Sequence, residues 1–364
     1  MGSGRPAGPR LAPAAPRSRR RARDGPRPPR ARRRPAAARV VTLLRAWAPA
    51  ALALAASLAA VPAAARESRA DDMLREHLFS ELKRLPKGER PVVGLVLSAG
   101  AVRGLAHIGV WQVLEDAGFP VDVVAGTSMG AVVGSFVAEG IPASRMREIG
   151  GGVTLGSGSD YSKTRLLTLI LNDSLLDSTA MELVLKSAIG ERTFDQLKRP
   201  FACVSMDIRT GEKVVFRDGP VAPAVRASAN LPGIFKPVAY RHRWLVDGGV
   251  VDYIPVDAAR LLGAEWVLAS VTEGDFTYIN PTNVLGTLEQ VIDIRGSLLS
   301  RQQRREADAL IEPRVGDVEF YQTERIPDVI RKGMEAGARG LAGAQESLAV
   351  YAMPRLWKKW SAAP

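Results

Sequence analysis

The run Gly126-Thr127-Ser128-Met129-Gly130 constrains this chain more than any other, because it joins the apolar stretch 121–125 to the apolar stretch 131–138. A strand, a tight turn and a helix in that order make an elbow. Its outer glycines let two backbones pass close together, and its serine sits on a strained turn at a helix N-terminus. Ser128 is therefore a candidate nucleophile. The pentapeptide alone does not decide the matter, since Gly, Ser and Thr also crowd ordinary strand-to-helix turns.

Two other stretches sharpen the reading. Residues 92–97 read as a buried strand that runs into Ser98-Ala99-Gly100-Ala101-Val102-Arg103-Gly104, followed by a helical pattern over 105–117. Such a loop leaves unpaired N–H groups at a helix start, and donors there suit a developing oxyanion. A phosphate-binding turn is the competing reading, but the G-x-G-x-x-G spacing and the G-K-[ST] ending are both missing. Downstream, Asp247-Gly248-Gly249 closes the apolar run 244–246, where paired glycines permit a sharp turn that leaves a carboxylate at a strand edge. The three histidines are His77, His107 and His242, and none follows Asp247, so a nucleophile, acid, histidine order cannot be completed after Ser128. A carboxylate acting directly as the base is the economical alternative, provided its site tunes it, because an exposed Asp is a weak base.

Taken together these pieces resemble the patatin-like phospholipases, a family that includes the neuropathy target esterase catalytic domain, with the likeness closest to the compact bacterial members. The matching features are the loop Ser98 to Gly104, the elbow Gly126 to Gly130, Asp247-Gly248-Gly249 with its continuation through Ile254-Pro255-Val256, and Arg226-Ala227-Ser228-Ala229-Asn230-Leu231-Pro232-Gly233 leading into Phe235-Lys236-Pro237-Val238. The likeness spans residues 91–320. It implies a Ser128–Asp247 dyad, an oxyanion hole in the backbone of Ser98, Ala99, Gly100, Ala101, Arg103 and Gly104, and structural elbow and turn glycines at Gly126, Gly130, Gly248 and Gly249. It also implies a serine acyl hydrolase that cleaves carboxyl esters of lipids, of phospholipase A or lysophospholipase type, with neither cofactor nor metal. A nonspecific esterase or thioesterase, and a catalytically silent lipid-binding protein, are the alternatives. One departure stands out: the family loop begins with consecutive glycines, whereas this chain has Ser98 and Ala99 before Gly100. A positive φ at Ala99 would be costly.

Other candidates have plainer readings. His107 is expected to pack against the sheet or cap the loop, His242 to sit in a solvated hairpin turn Arg241-His242-Arg243, and Asp122 to serve a turn or an ion pair. Arg103 either steers an anionic head group or fastens the loop. No His/Cys/Glu cluster has metal-ligand spacing.

Residues 1–39 contain thirteen Arg and a single Asp and so carry the whole formal net charge of +12. This Gly/Pro/Ala/Arg stretch has too few large apolar residues to fold, and is read as a disordered segment and an over-extended gene model, with translation starting near Val40 or Val41. Residues 40–65 read as a signal peptide whose Ala63-Ala64-Ala65 suits cleavage before Arg66. The expected location is periplasmic or secreted; an uncleaved anchor over 47–61 is the alternative. Nucleic acid is not an expected partner, since the basic excess lies outside the folded part. Cys203, the one cysteine, sits in an apolar run and reads as core.

Beyond a lead-in over 66–90 with a short helix, strands are expected at 92–97, 121–125, 200–206, 212–217, 244–246, 265–271 and near 310–313. Helices are expected at 103–117, 129–139, 178–189, 220–229, 256–262, 284–307 and 328–351. Alternation of this kind predicts a three-layer α/β/α sandwich with a mainly parallel sheet, and residues 321–364 add a C-terminal helix and tail. The stretch 150–178, polar then apolar, reads either as a lid or as a helix on the core. Trp357-Lys358-Lys359-Trp360 mixes aromatics and cations as membrane-interface segments do, which gives peripheral membrane contact as an expectation.

Overall fold

The computed structural model describes residues 63–155, 176–275, 277, 284–319 and 322–362. The segment 1–39, most of the signal-like stretch 40–65 and the lid-like residues 156–175 therefore lie outside the described residues. Glu67–Pro364 form one compact unit.

The strands are β1 Val93–Leu97, β2 Val123–Thr127, β3 Phe201–Asp207, β4 Lys213–Phe216, β5 Val238–Tyr240, β6 Arg243–Asp247, β7 Trp266–Ser270 and β8 Ala309–Ile311. The helices are α1 Ala63–Lys83, α2 Ala106–Asp116, α3 Met129–Glu139, α4 Ala143–Leu155, α5 Thr179–Ile189, α6 Val221–Ser228, α7 Val256–Leu261, α8 Val284–Gln303 and α9 Ile326–Ala362. Parallel pairing joins β3, β2, β1, β7 and β8, while β4 and β6 run antiparallel to β3 and β5 antiparallel to β6. Alternate residues of β1 face opposite ways. Val93, Leu95 and Leu97 join a core with α1, α2, α3, α5, α6 and α9, and Val96 joins a second core with α7, against which Leu299 of α8 packs. The architecture is thus the expected three-layer sandwich.

The register of β3 brings two distant strand ends together. One flank of β3 pairs with β4 over Cys203–Met206. Because Cys203 and Val204 also pair with β2, and Ser205 and Met206 with β6, the other flank carries β2 along its first half and β6 along its second. Thr127 lies opposite Val204 and Asp247 opposite Ser205, so the C-terminal ends of β2 and β6 meet head to head.

Several elements differ from expectation. The lead-in helix is long rather than short, because no Gly or Pro interrupts it before Pro86, and Phe79 and Leu82 bury one of its faces. α4 begins directly after Pro142; its glycine-rich end gave no helical signal. β5, three residues that follow Pro237, carries too little pattern to announce a strand, yet it forms a two-residue hairpin with β6 in which Arg241 and His242 both take positive φ. α9 starts earlier and continues through Pro354, held by buried Ala352 and Leu356. It lies against α2 at contact distance: a Cβ on Gly109 would meet Ile330 O at 2.0 Å, and one on Gly333 would meet Ala106 O at 2.0 Å. Among the described residues no helix is long and apolar enough to cross a membrane.

Candidate active site

Ser128 follows β2 and caps α3 with φ 58° and ψ −126°, a left-handed conformation that a non-glycine residue holds only under strain. The flanking glycines are required by close approach. A Cβ on Gly126 would lie 2.3 Å from Gly130 O, and one on Gly130 would lie 2.2 Å from Leu97 O. Strand β1, the elbow and α3 therefore pack backbone on backbone, and the serine is aimed at the C-terminal edge of the sheet.

Asp247 ends β6 at that same edge. Ser128 Oγ donates a 2.5 Å hydrogen bond to Asp247 Oδ2, and the Gly249 amide donates to Oδ1 at 2.8 Å. The carboxyl is 2% exposed. Burial pushes Asp247 up to about 7, against the opposing pull of the hydrogen bonds from Ser128 and Gly249. A carboxylate with that affinity for a proton is far better matched to accepting one near neutral pH than an exposed Asp. Gly248 is also required by packing, since its Cβ would lie 2.2 Å from Val204 O.

The loop after β1 lies across from this pair. The amides of Ser98, Ala99 and Gly104 already donate to Ser270 O, Tyr253 O and Gly100 O. Those of Gly100 and Ala101 have no partner among the described residues, and both residues line the pocket with Ser128 and Asp247. The conformational concern raised for Ala99 falls elsewhere: Ala99 has no positive φ, whereas Ala101 does, at 46°. Alanine at 99 is thus compatible with the loop, because its conformation is ordinary and its amide is engaged in holding the Tyr253 segment. Gly100 must be glycine for a different reason, as a Cβ there would meet Thr272 Oγ1 at 2.4 Å.

Of the two readings for Arg103, the structure selects fastening. Its buried guanidinium donates from Nη2 to Asp293 Oδ1 at 2.5 Å and from Nη1 to Val318 O at 3.0 Å, tying the loop to α8 rather than reaching toward solvent. His107 braces the loop from below, with Nδ1 2.8 Å from Ser270 Oγ and Nε2 3.0 Å from Ser98 O. Burial drives it down to about 4, so it is neutral near pH 7. Asp122 pairs with Arg90. Cys203 is buried.

Two residues of the segment 226–233, Ser228 and Asn230, take positioning roles that the sequence does not announce. Ser228 Oγ accepts from the Ser128 amide at 3.0 Å and donates to Val204 O at 2.5 Å, filling the gap where β2 leaves β3. Asn230 O accepts from the Asp247 amide at 2.9 Å, and its side chain bonds Ser178 Oγ and Lys236 O. The last residue of α6 and the turn that follows it therefore hold both members of the pair by their backbones. The signal for it was the Ser-x-Asn spacing, which has no meaning until the two strand ends are known to meet.

The pocket over Ser128 is walled by Leu231 and Ile234 on one side and by Leu288 and Ile292 of α8 on another. A serine hydroxyl bonded to a poised carboxylate, free amides nearby and apolar walls are the parts that acyl transfer on an apolar substrate requires. Among the described residues no group of His, Cys, Asp or Glu is arranged to hold a metal ion.

Fold and site together define an α/β protein with an elbow serine paired directly to a carboxylate. Residues 95–260 match the family model described as patatin-like phospholipase. The chain is 34% identical over 193 residues to the patatin-like phospholipase domain-containing protein ZK370.4 of Caenorhabditis elegans and 34% identical over 200 residues to human patatin-like phospholipase domain-containing protein 6. Each match covers 52% of this chain and 14% of the relative. It is 32% identical over 217 residues to the NTE family protein Rv2565 of Mycobacterium tuberculosis, covering 57% of this chain and 34% of that one. Among solved structures, VipD from Legionella pneumophila aligns over 71% of this chain and 67% of its own at 14% identity, with a TM-score of 0.42. The match assigns residues 95–260 of the chain to a patatin-like phospholipase domain. The chain spans well under half the length of these three relatives.

Proposed function

We propose that this protein is a serine acyl hydrolase that cleaves carboxyl esters of lipids, of phospholipase A or lysophospholipase type. The observation that carries the reading is the 2.5 Å hydrogen bond from the strained elbow Ser128 to a buried Asp247 held near neutrality. In this mechanism Asp247 takes the Ser128 proton as Oγ attacks the ester carbonyl, and the amides of Gly100 and Ala101 receive the oxyanion. The protonated carboxyl then gives its proton to the departing alkoxide. In the second half the carboxylate accepts a proton from water as it attacks the acyl-enzyme, and returns that proton to Ser128 Oγ. The apolar walls Leu231, Ile234, Leu288 and Ile292 support an acyl chain as the bound group. The alanine-rich stretch ending at Ala65 supports export to the periplasm or beyond.

The direct test is intact mass after treatment with a fluorophosphonate probe. A single adduct on the wild-type chain and none on Ser128→Ala is expected, and a folded protein that takes no adduct would end the proposal. Assays across head groups and a soluble short-chain ester then separate phospholipase from general esterase.

Ser228→Ala tests the positioning turn. Leaving the Ser128 amide without its acceptor should loosen the elbow, and kcat is expected to fall by about tenfold or more with KM nearly unchanged. Equal kcat in wild type and variant would show that the elbow is held without Ser228.

A further inference from the structure

Helix α8 serves the pocket with one face and leaves another uncovered. Leu288 and Ile292 line the site, while Val291, Ile294 and Leu298 are 58%, 38% and 55% exposed. Positions spaced by three and four residues share one side of a helix, so these three form a continuous apolar stripe beside the pocket wall. Exposed Arg295 and Arg301 lie along the same stripe, and Arg295 Nε donates to Val250 O at the pocket rim, which fixes how the helix is set over the site. Asp293, the acid within this run, is engaged by Arg103. The outer face of α8 therefore combines aliphatic side chains with cations, directly continuous with the pocket.

Resting on the acyl hydrolase reading above, we propose that this face of α8 docks the protein on the surface of an anionic phospholipid aggregate, so that a lipid drawn from that surface enters along Leu288 and Ile292. Three aliphatic side chains over about 10 Å of helix can sink to the depth of the headgroup boundary, and the arginines meet the anionic lipids there. The C-terminal Trp357 and Trp360 do not compete for this role. Their end of α9 is anchored by Lys359 to Glu81 and by Arg355 to Glu265, which precedes β7, so it lies at the strand starts, whereas Ser128 lies at the strand ends. A membrane held there would leave the pocket roughly a strand length away.

The face is tested in the full chain by attaching an environment-sensitive fluorophore to Leu298→Cys, with Ser144→Cys on α4 as the remote control; the buried Cys203 is shielded from labelling. Vesicles of phosphatidylcholine and phosphatidylglycerol are expected to raise and blue-shift emission at 298 and to leave 144 unchanged. Unchanged emission at 298, with or without co-sedimentation of the protein, overturns the proposal. In parallel, Val291→Ser/Ile294→Ser/Leu298→Ser should lower hydrolysis of vesicle phospholipid by about tenfold while hydrolysis of a dissolved short-chain ester stays within about twofold. Equal loss on both substrates, or a wild-type dimer that the triple variant dissolves, would assign the stripe to structure or to a second copy instead. If the wild-type chain cleaves neither substrate, the hydrolase reading fails, while the emission at 298 still judges the surface.

Discussion

Asp247→Asn is expected to lower kcat/KM for a soluble ester by about 10³-fold at pH 8 and, at the same pH, to make the protein more stable. Both effects have one cause. Asp247 is buried, and its carboxyl is pushed up from 3.8 to about 7. The native state therefore holds a proton that the unfolded chain releases between those values, and the stability this group contributes is complete below about 4 and lost as pH rises to about 7. Above that window the folded protein carries a desolvated anion, a penalty on the order of 4 kcal/mol for such a rise. Asparagine removes the penalty and retains the hydrogen bonds, with Oδ1 facing the Gly249 amide and Nδ2 facing Ser128 Oγ. It cannot accept the serine proton. Thermal unfolding of wild type and variant should nearly coincide at pH 4 and diverge in favour of the variant by pH 8. The wild-type kcat/KM should rise about tenfold per pH unit below 7 and level off above it, because the base works only when deprotonated. A wild-type profile that is flat from pH 5 to 8 would contradict the assignment of Asp247 as the base.

Gly333→Ala and Gly343→Ala, the same substitution ten residues apart in α9, are expected to change stability in opposite directions. A Cβ at Gly333 would lie 2.0 Å from the carbonyl oxygen of Ala106, a backbone atom of α2 that cannot swing aside. To admit it, α9 must lift from α2 along the packed row that includes Val329, Ile330 and Ala336, at a loss of roughly 3 kcal/mol or more. Gly343 has nothing within 4 Å of its Cβ position. Alanine there gains helix propensity, about 1 kcal/mol. Urea denaturation of both variants reads the difference directly. Equal midpoints would mean that α2 and α9 do not approach as closely as this, and that the C-terminal helix is an appendage. In the structure it is part of the larger core, with Ile326, Val329, Ala344, Leu348 and Leu356 buried.

How much of the fold is legible in the chain depends on the range of the interactions involved. Helix α3 is read with its observed bounds because the elbow glycines start it and Gly140, in the left-handed conformation, ends it. The solvated hairpin turn at Arg241-His242 is likewise read from its own consecutive polar residues. Helix α4 and strand β5 are not, because α4 carries three consecutive glycines and β5 is three residues long; each is held by packing or pairing that its own residues do not announce.

The site divides along the same line. Sequence by itself determined which residue types are available to act: an elbow serine, an Asp before two glycines, a small-residue loop at a helix start, and no histidine after Asp247. Only the tertiary structure decided that they meet, because Ser128 and Asp247 are 119 residues apart and are brought together by the pairing of β2 and β6 with neighbouring residues of β3. It also decided that Asp247 is buried and so holds its proton to about 7, that Arg103 is a tie rather than a ligand, and that Ser228 and Asn230 hold the two strand ends. Register, burial and backbone approach are properties of pairs of segments, and no single segment encodes them.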